Sequence, residues 1–146
     1  KYPDDRARTA QIFYVLKDKP DIKQGKFEFK YKGKVQLSGS YENNIQSGEW
    51  VYTPDKELKI VGNYVNGLKD GVWKYFKNDI LISKLTFENG ELNGKCEGYY
   101  ENGQLASEAV YVNNHKEGLY ITYHPNGTIR DKESYQNGKL EGNYEL

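Results

Sequence analysis

The sequence repeats at an interval of about 23 residues, and this periodicity constrains the fold more than any other feature of the chain. One glycine recurs at spacings of 23, 23, 23, 24 and 24 residues. These anchor glycines are Gly25, Gly48, Gly71, Gly94, Gly118 and Gly142. A unit this small cannot bury a core alone, so we expect neighbouring units to stack and to stabilise one another.

Two turn signals divide each unit into two short strands. The first is an Asn-Gly or Asn-Asn pair, which tolerates the positive φ angles of a two-residue type I′ turn. It begins at Asn43, Asn66, Asn89, Asn113 and Asn137. The second, looser signal occurs at Lys32-Gly33, Pro54-Asp55, Asn78-Asp79, Asn102-Gly103 and Pro125-Asn126-Gly127. Reversals this close together predict strands of about 5–7 residues in an antiparallel meander.

Alternating residues predict that one face of this sheet is buried. Two residues after the anchors stand Phe27, Trp50, Trp73, Cys96, Tyr120 and Tyr144, and seven residues before them stand Tyr41, Tyr64, Phe87, Tyr111 and Tyr135. The same face carries Val35, Leu58, Leu81, Leu105 and Ile129, and smaller or mixed residues at Gly39, Gly62, Leu85, Ala109 and Glu133. The opposite face includes Val61, Val65, Val110, Val112, Leu119 and Ile121. These apolar residues fit either ordinary β-propensity or a partner surface.

The pattern predicts an all-β fold, an elongated single-layer antiparallel meander of tandem β-hairpin repeats with about 11 strands. Residues 25–146 form five repeats and a partial sixth, while residues 1–24 form an N-terminal cap with one strand at residues 11–16 and a turn at residues 19–21. The far end leaves a strand edge through which self-association is plausible. Because the chain begins at Lys1, we expect a processed product or an excised segment.

Composition and residue placement exclude several classes of function. Lys+Arg and Asp+Glu balance at 21 each, so no overall field favours nucleic acid. The single cysteine, Cys96, excludes an internal disulfide and leaves the compartment open. His115 and His124 fall in turns, with no metal-ligand spacing. We therefore expect no catalytic, cofactor-binding or metal-binding residues, and no enzymatic activity.

Residues 62–73, which read Gly-Asn-Tyr-Val-Asn-Gly-Leu-Lys-Asp-Gly-Val-Trp, resemble the MORN repeat (membrane occupation and recognition nexus) in its bacterial variant. The resemblance covers about residues 25–146. It implies one long sheet that acts as a binding or assembly module, either an antitoxin-like partner of a toxin or a domain of an envelope protein. The compartment is then cytoplasmic, or periplasmic or secreted. Cys96 stands where a ring is expected, and Gly98 and Thr122 stand where Tyr52 and Tyr75 do, so we expect weaker packing in the fourth unit.

Three functions remain open at this point. The first is a protein-interaction or scaffolding module, whose exposed rings bind the partner at Trp50, Tyr52, Trp73 and Tyr75. The alternative for these four rings is packing within the sheet. The second function is peripheral phospholipid binding through Lys23, Lys26, Lys30, Lys32 and Lys34. The third is an accessory domain of a larger enzyme.

Overall fold

The computed structural model describes residues 9–144, with side chains described as far as residue 142. Thirteen strands in this range form one antiparallel sheet, in which spatial order follows chain order. They are β1 (Thr9–Leu16), β2 (Lys19–Tyr31), β3 (Lys34–Glu42), β4 (Ile45–Tyr52), β5 (Leu58–Val65), β6 (Leu68–Lys77), β7 (Ile80–Glu88), β8 (Glu91–Leu92), β9 (Gly94–Tyr99), β10 (Leu105–Val112), β11 (His115–Tyr123), β12 (Ile129–Gln136) and β13 (Lys139–Tyr144). The short β8 pairs with β7 alone. The predicted all-β meander is confirmed, and residues 9–144 contain no helix able to cross a membrane.

The first hairpin departs from the sequence prediction in one respect. The predicted cap strand is present as β1, which pairs with β2, but the predicted turn at residues 19–21 is wrong. The chain reverses at Lys17 and Asp18, and Pro20 lies inside β2. Pairing of β2 with β3 begins only at Gly25, so Pro20 occupies a part of the strand with one open side. A proline is tolerated there because its missing N–H interrupts no second ladder. Residues 1–8 of the predicted cap lie outside the described residues.

The predicted Asn-Gly and Asn-Asn turns are confirmed, and they bind one unit to the next. Asn66 has φ 51° and Gly67 has φ 78°, as a type I′ turn requires. The backbone N–H of Gly67 donates to Gln46 O of the preceding unit at 3.0 Å. Equivalent bonds recur in the other units: Asn44 N to Lys23 O, Gly90 N to Lys69 O, Asn114 N to Leu92 O and Gly138 N to Lys116 O. The turn edge of the sheet is therefore a continuous hydrogen-bonded ladder.

Asn44 and Asn114, which replace the more common glycine of this turn, make a second bond in the same ladder. The Oδ1 atom of Asn44 accepts from the backbone N–H of Lys23 at 2.7 Å. Asn114 Oδ1 accepts from the N–H of Leu92 at the same distance. Asparagine tolerates the required positive φ, 68° at Asn44, and adds a side-chain contact that glycine lacks. The substitution thus joins the units more tightly at two of the turns.

The anchor glycines Gly48, Gly71 and Gly118 each begin a β-bulge that controls where the large rings lie. In the second unit Ser38 pairs with Val51 and Ser40 pairs with Ser47, so the single residue Gly39 faces three residues of β4. Gly48, the first of these three, has φ 70°, a conformation that favours glycine. The bulge turns the third residue, Trp50, over the bare backbone of Gly39.

The core of this single-layer sheet is a stack of rings on one face, here called the ring face. Trp50 and Trp73 are 0% and 1% exposed. A methyl group added at Gly62 would lie 2.0 Å from Trp73 Cδ2, so the indole packs directly on the glycine backbone. Tyr64 meets Trp73 edge-on, with ring centroids 5.1 Å apart and planes at 87°. Such edge-to-face pairs stabilise beyond the area they bury.

We expect Gly62→Ala to lower the free energy of unfolding by about 3 kcal/mol, because the new methyl group cannot avoid the Trp73 ring without displacing it. Urea unfolding monitored by tryptophan fluorescence measures this change. The matched control is Gly142→Ala, since Gly142 has no positive φ and no described atom within 4 Å of the added group. Equal effects at the two positions would contradict the packing of indole on glycine.

Candidate partner-binding surface

The four rings predicted to bind a partner all lie on the ring face, but the structure separates them into two kinds. Trp50 and Trp73 are buried, so the prediction that these indoles are exposed is wrong. The cause is the anchor bulge, which turns each indole onto a glycine and between flanking tyrosines. Tyr52 and Tyr75 lie in the next row of the same face and are half-buried. Partner binding by Tyr52 and Tyr75 stays a prediction.

The half-buried tyrosines are also tied into the sheet by their hydroxyl groups. Tyr52 Oη lies 2.9 Å from Tyr64 Oη, within hydrogen-bonding distance. Burial, helped by this bond, raises the pKa of Tyr52, and burial also raises the pKa of Tyr75. Both groups are therefore neutral phenols at physiological pH. The Nε1 donor of Trp73 is satisfied by Asn63 O at 3.2 Å, whereas that of Trp50 has no partner among the described residues.

Lysine side chains cover part of the ring face. Lys69 Nζ lies 4.4 Å from the Trp73 ring centroid and 4.8 Å from that of Phe87. In the fifth unit Lys116 Nζ lies 3.9 Å from the Tyr120 centroid. Burial lowers the pKa of Lys69. These cation–π contacts, made by the residue two positions before the anchor, shield the rings from solvent in the third and fifth units.

The opposite face, here called the outer face, carries a hydrogen-bonded ion network across β7, β9 and β10. Lys95 Nζ lies 2.8 Å from Glu97 Oε1 and 2.9 Å from Glu108 Oε2, and Lys84 Nζ lies 3.5 Å from Glu97. Tyr99 Oη donates to Glu97 Oε2 at 2.7 Å. The bond from Lys95, followed by that from Tyr99, lowers the pKa of Glu97. The two carboxylates raise the pKa of Lys95.

The sequence pattern alone does not reveal the connection between Lys84 and Glu108. The connection depends on register, because Lys84 pairs with Glu97 and Glu97 pairs with Glu108 across neighbouring strands. The signal that could have revealed it is the alternation of charge at the same position of consecutive strands. The network joins β7, β9 and β10 on the face away from the rings.

An apolar group of side chains on the outer face lies close to the Asn-Gly turns. Ile45, Val65 and Leu68, here called the outer patch, are each 47% exposed. Val65 pairs with Leu68, and Ile45 Cγ2 lies 3.1 Å from the position of an added methyl group at Gly67. Of these three residues, the sequence pattern assigned only Val65 to this face. Only the ladder of turns places the three side chains together.

Three residues considered for chemistry sit in ordinary structural positions. Cys96 is buried, and burial raises the pKa of its thiol, which lowers its reactivity. His115 is exposed, and its Nδ1 lies 2.8 Å from Asn113 O within the same turn. His124 is exposed in the loop between β11 and β12. Among residues 9–144 no group of histidine, cysteine or acidic side chains is arranged to hold a metal ion.

Comparison with known proteins identifies the repeat itself. Residues 92–113 and 116–137 match the family described as the MORN repeat variant. The two matched segments lie in the fourth and fifth units, and each spans most of one hairpin repeat. No curated protein matches the chain. The family assignment of the repeat therefore rests on the match of these two segments.

We expect Glu97→Gln to lower the free energy of unfolding by about 1 kcal/mol at pH 7, because the pairs are partly exposed. The folded-state pKa of Glu97 is depressed, so its contribution is complete above the usual carboxylate pKa of 4.5 and is lost as pH falls through the lowered value. Wild type and variant should therefore converge in stability at acidic pH.

Urea unfolding at several pH values between 7 and 3 tests this prediction. The control is Glu101→Gln, which changes an exposed carboxylate in the loop after β9 and should alter stability by less than about 0.5 kcal/mol. A Glu97→Gln effect that is the same at every pH would show that the loss comes from packing rather than from charge.

Proposed function

We propose that this chain, two units of which match the MORN repeat variant, is a non-enzymatic protein-interaction or scaffolding module. The partner is a protein that lies along the sheet. Two finer roles fit such a module, neutralisation of a toxin in the manner of an antitoxin and assembly with another envelope protein. Both use the same physical property, a long sheet that presents many side chains on a stable surface.

The observation that carries this proposal is the outer patch. Single exposed apolar residues are normal on protein surfaces, but Val65 and Leu68 pair across one turn, Ile45 lies against Gly67 of that turn, and each of the three is nearly half exposed. The indoles of Trp50 and Trp73 are occupied in packing. The outer patch therefore offers the more accessible apolar contact for a protein partner.

The titratable groups with shifted pKa values support a binding role rather than a catalytic one. Catalytic groups combine a shifted pKa with a cleft and with a partner that leaves them free to react. Here the lowered pKa of Glu97 and the raised pKa of Lys95 are accounted for by their mutual hydrogen bond on a sheet face. These groups contribute stability between units.

We expect a photoreactive phenylalanine analogue placed at Leu68 to cross-link to one protein partner in a lysate of the source organism. Mass spectrometry of the cross-linked product identifies the partner, and the same analogue at Leu140 serves as the control, because Leu140 is 53% exposed but lies outside the outer patch. Leu68→Glu should then weaken binding of the identified partner at least tenfold, with Leu140→Glu unchanged. Absence of a partner specific to position 68 would overturn the proposal.

A second candidate function, binding of an anionic phospholipid surface, has one structural observation in its favour. Lys32 and Lys34 line a depression of about 460 Å³ together with Lys56, which sequence analysis did not select. Two of the other predicted lysines contribute less, since Lys30 forms an ion pair with Glu28 at 3.0 Å and Lys23 lies over the Phe13 and Tyr41 rings.

Co-sedimentation with phosphatidylserine vesicles at low salt distinguishes this function from protein binding. If lipid binding is the function, the wild-type chain sediments with the vesicles, and Lys32→Glu combined with Lys34→Glu removes most of the bound fraction because the attraction is electrostatic. Lys139→Glu, an exposed lysine in β13, is the control. Absence of sedimentation by the wild-type chain would exclude this alternative.

A further inference from the structure

The ring stack of the sheet is interrupted in the fourth unit. Ring-to-ring contacts run without a break from Phe27 to Phe87 and resume with Tyr120 and Tyr135. In the third unit the first strand places Trp73 and Tyr75 on the ring face. The equivalent strand of the fourth unit, β9, places Cys96 and Gly98 there, paired with Ala109 and Ser107 of β10. Two rings of the repeat pattern are therefore missing at one place.

The missing rings leave a depression of about 230 Å³ in the ring face. Leu85 and Leu92 lie on one side of it, and Tyr111, Lys116 and Tyr120 lie on the other. Leu92 stands where the third unit has Lys69, the lysine that covers Trp73. The fourth unit has thus lost both the ring and its charged cover, and much of the depression is lined by apolar and aromatic side chains.

We propose that this depression binds one aromatic side chain, tryptophan or tyrosine, of a protein partner, and that the inserted ring completes the stack. The proposal adds a contact site on the face opposite the outer patch, and it rests on the proposed function only in that the partner is a protein. Aromatic side chains that fill pockets are the usual energetic anchors of protein interfaces.

The volume of the depression decides between possible occupants. An apolar cavity of about 150 Å³ already accommodates a benzene ring. Pockets for small-molecule ligands usually measure about 300–1,000 Å³ and bury most of the ligand. At about 230 Å³ the depression fits one ring better than a whole metabolite. It also lies on a single-layer sheet, where a protein surface can cover it from the open side.

The neighbouring unit shows which contacts an inserted ring would make. Trp73 receives an edge-on contact from Tyr64 at 5.1 Å and the cation of Lys69 at 4.4 Å. Around the depression Tyr111 stands one unit beyond Phe87, a ring that meets Trp73 edge-on at 6.0 Å, whereas the cation of Lys116 lies over Tyr120 at 3.9 Å. The depression therefore retains a ring, Tyr111, that an aromatic guest can meet edge-on.

The test uses the full chain and three probes. They are indole, the peptide Gly-Gly-Trp-Gly-Gly with an acetylated N-terminus and an amidated C-terminus, and the same peptide with alanine in place of tryptophan. Amide NMR signals of Gly98 and Ala109, on the floor of the depression, are followed as each probe is added. We expect saturable shifts with the tryptophan peptide, no shifts with the alanine peptide, and no stronger binding of indole than of the tryptophan peptide.

Two variants locate the binding site. Leu85→Gly combined with Cys96→Trp recreates the glycine and indole pair of Gly62 and Trp73 and should weaken peptide binding at least tenfold, whereas Glu101→Gln, in the loop after β9 and outside the depression, should leave binding unchanged. Ser107→Leu fills the depression from β10 and serves as a second filled variant if the first does not fold.

Three results would overturn the proposal. The first is the absence of a saturable shift both with the tryptophan peptide and with indole, and the second is equal peptide binding by the filled variants and the wild type. The third is binding of indole without binding of the tryptophan peptide, which would indicate a small aromatic ligand instead. Because the assay needs no natural partner, failure here is distinct from failure of the cross-linking experiment at Leu68.

Discussion

The packing of the second and third units depends on the contact between an indole ring and a glycine of the preceding strand. A single-layer sheet has no second layer against which to bury side chains, so its apolar rings must be covered by one another and by backbone. Gly39 and Gly62 allow this because a side chain at either position would occupy the space of Trp50 or Trp73. The positive φ of Gly48 and Gly71 creates the bulge that brings each indole there. Each of these units therefore uses two glycines. The positive φ of one allows the bulge, and the missing side chain of the other makes room for the indole ring.

Three separate sets of contacts between neighbouring units stabilise the array. Rings stack along one face, the turns form a hydrogen-bonded ladder along one edge, and the ion network joins neighbouring strands on the outer face. Their distribution is uneven. The ring contacts are dense in the second and third units, while the ion network centres on Glu97 in the fourth, where the rings are missing. Polar contacts on one face thus stabilise the unit whose other face has lost its packing.

The fold could be predicted from the sequence because its determinants are local. Asn66 and Gly67 specify a turn wherever they occur, and alternation assigns neighbouring residues to faces. The burial of Trp50 could not be predicted in this way, since it depends on a bulge that changes the register of β4 against β3. The ion pair of Lys95 and Glu108 depends in the same way on which residues of two strands face each other.

The depression in the fourth unit could also be predicted only in part from the sequence. The replacement of a ring by Cys96 is visible in the sequence, and weaker packing of the fourth unit follows from it. Whether the neighbours move in to fill the gap is a question of three-dimensional packing. In the structure Leu85 and Leu92 line the gap without closing it. Pro20 gives a further example, because a strong turn former is harmless inside a strand that has one open side.

The identity of chain order and sheet order has a mechanical consequence. β1 and β13 lie at opposite edges of the sheet, so a pulling force applied between them acts across the strands, in line with the hydrogen bonds that join each pair. These bonds then open one after another like a zipper instead of resisting together in shear. An array loaded in this way lengthens in steps, one hairpin at a time, and yields at low force.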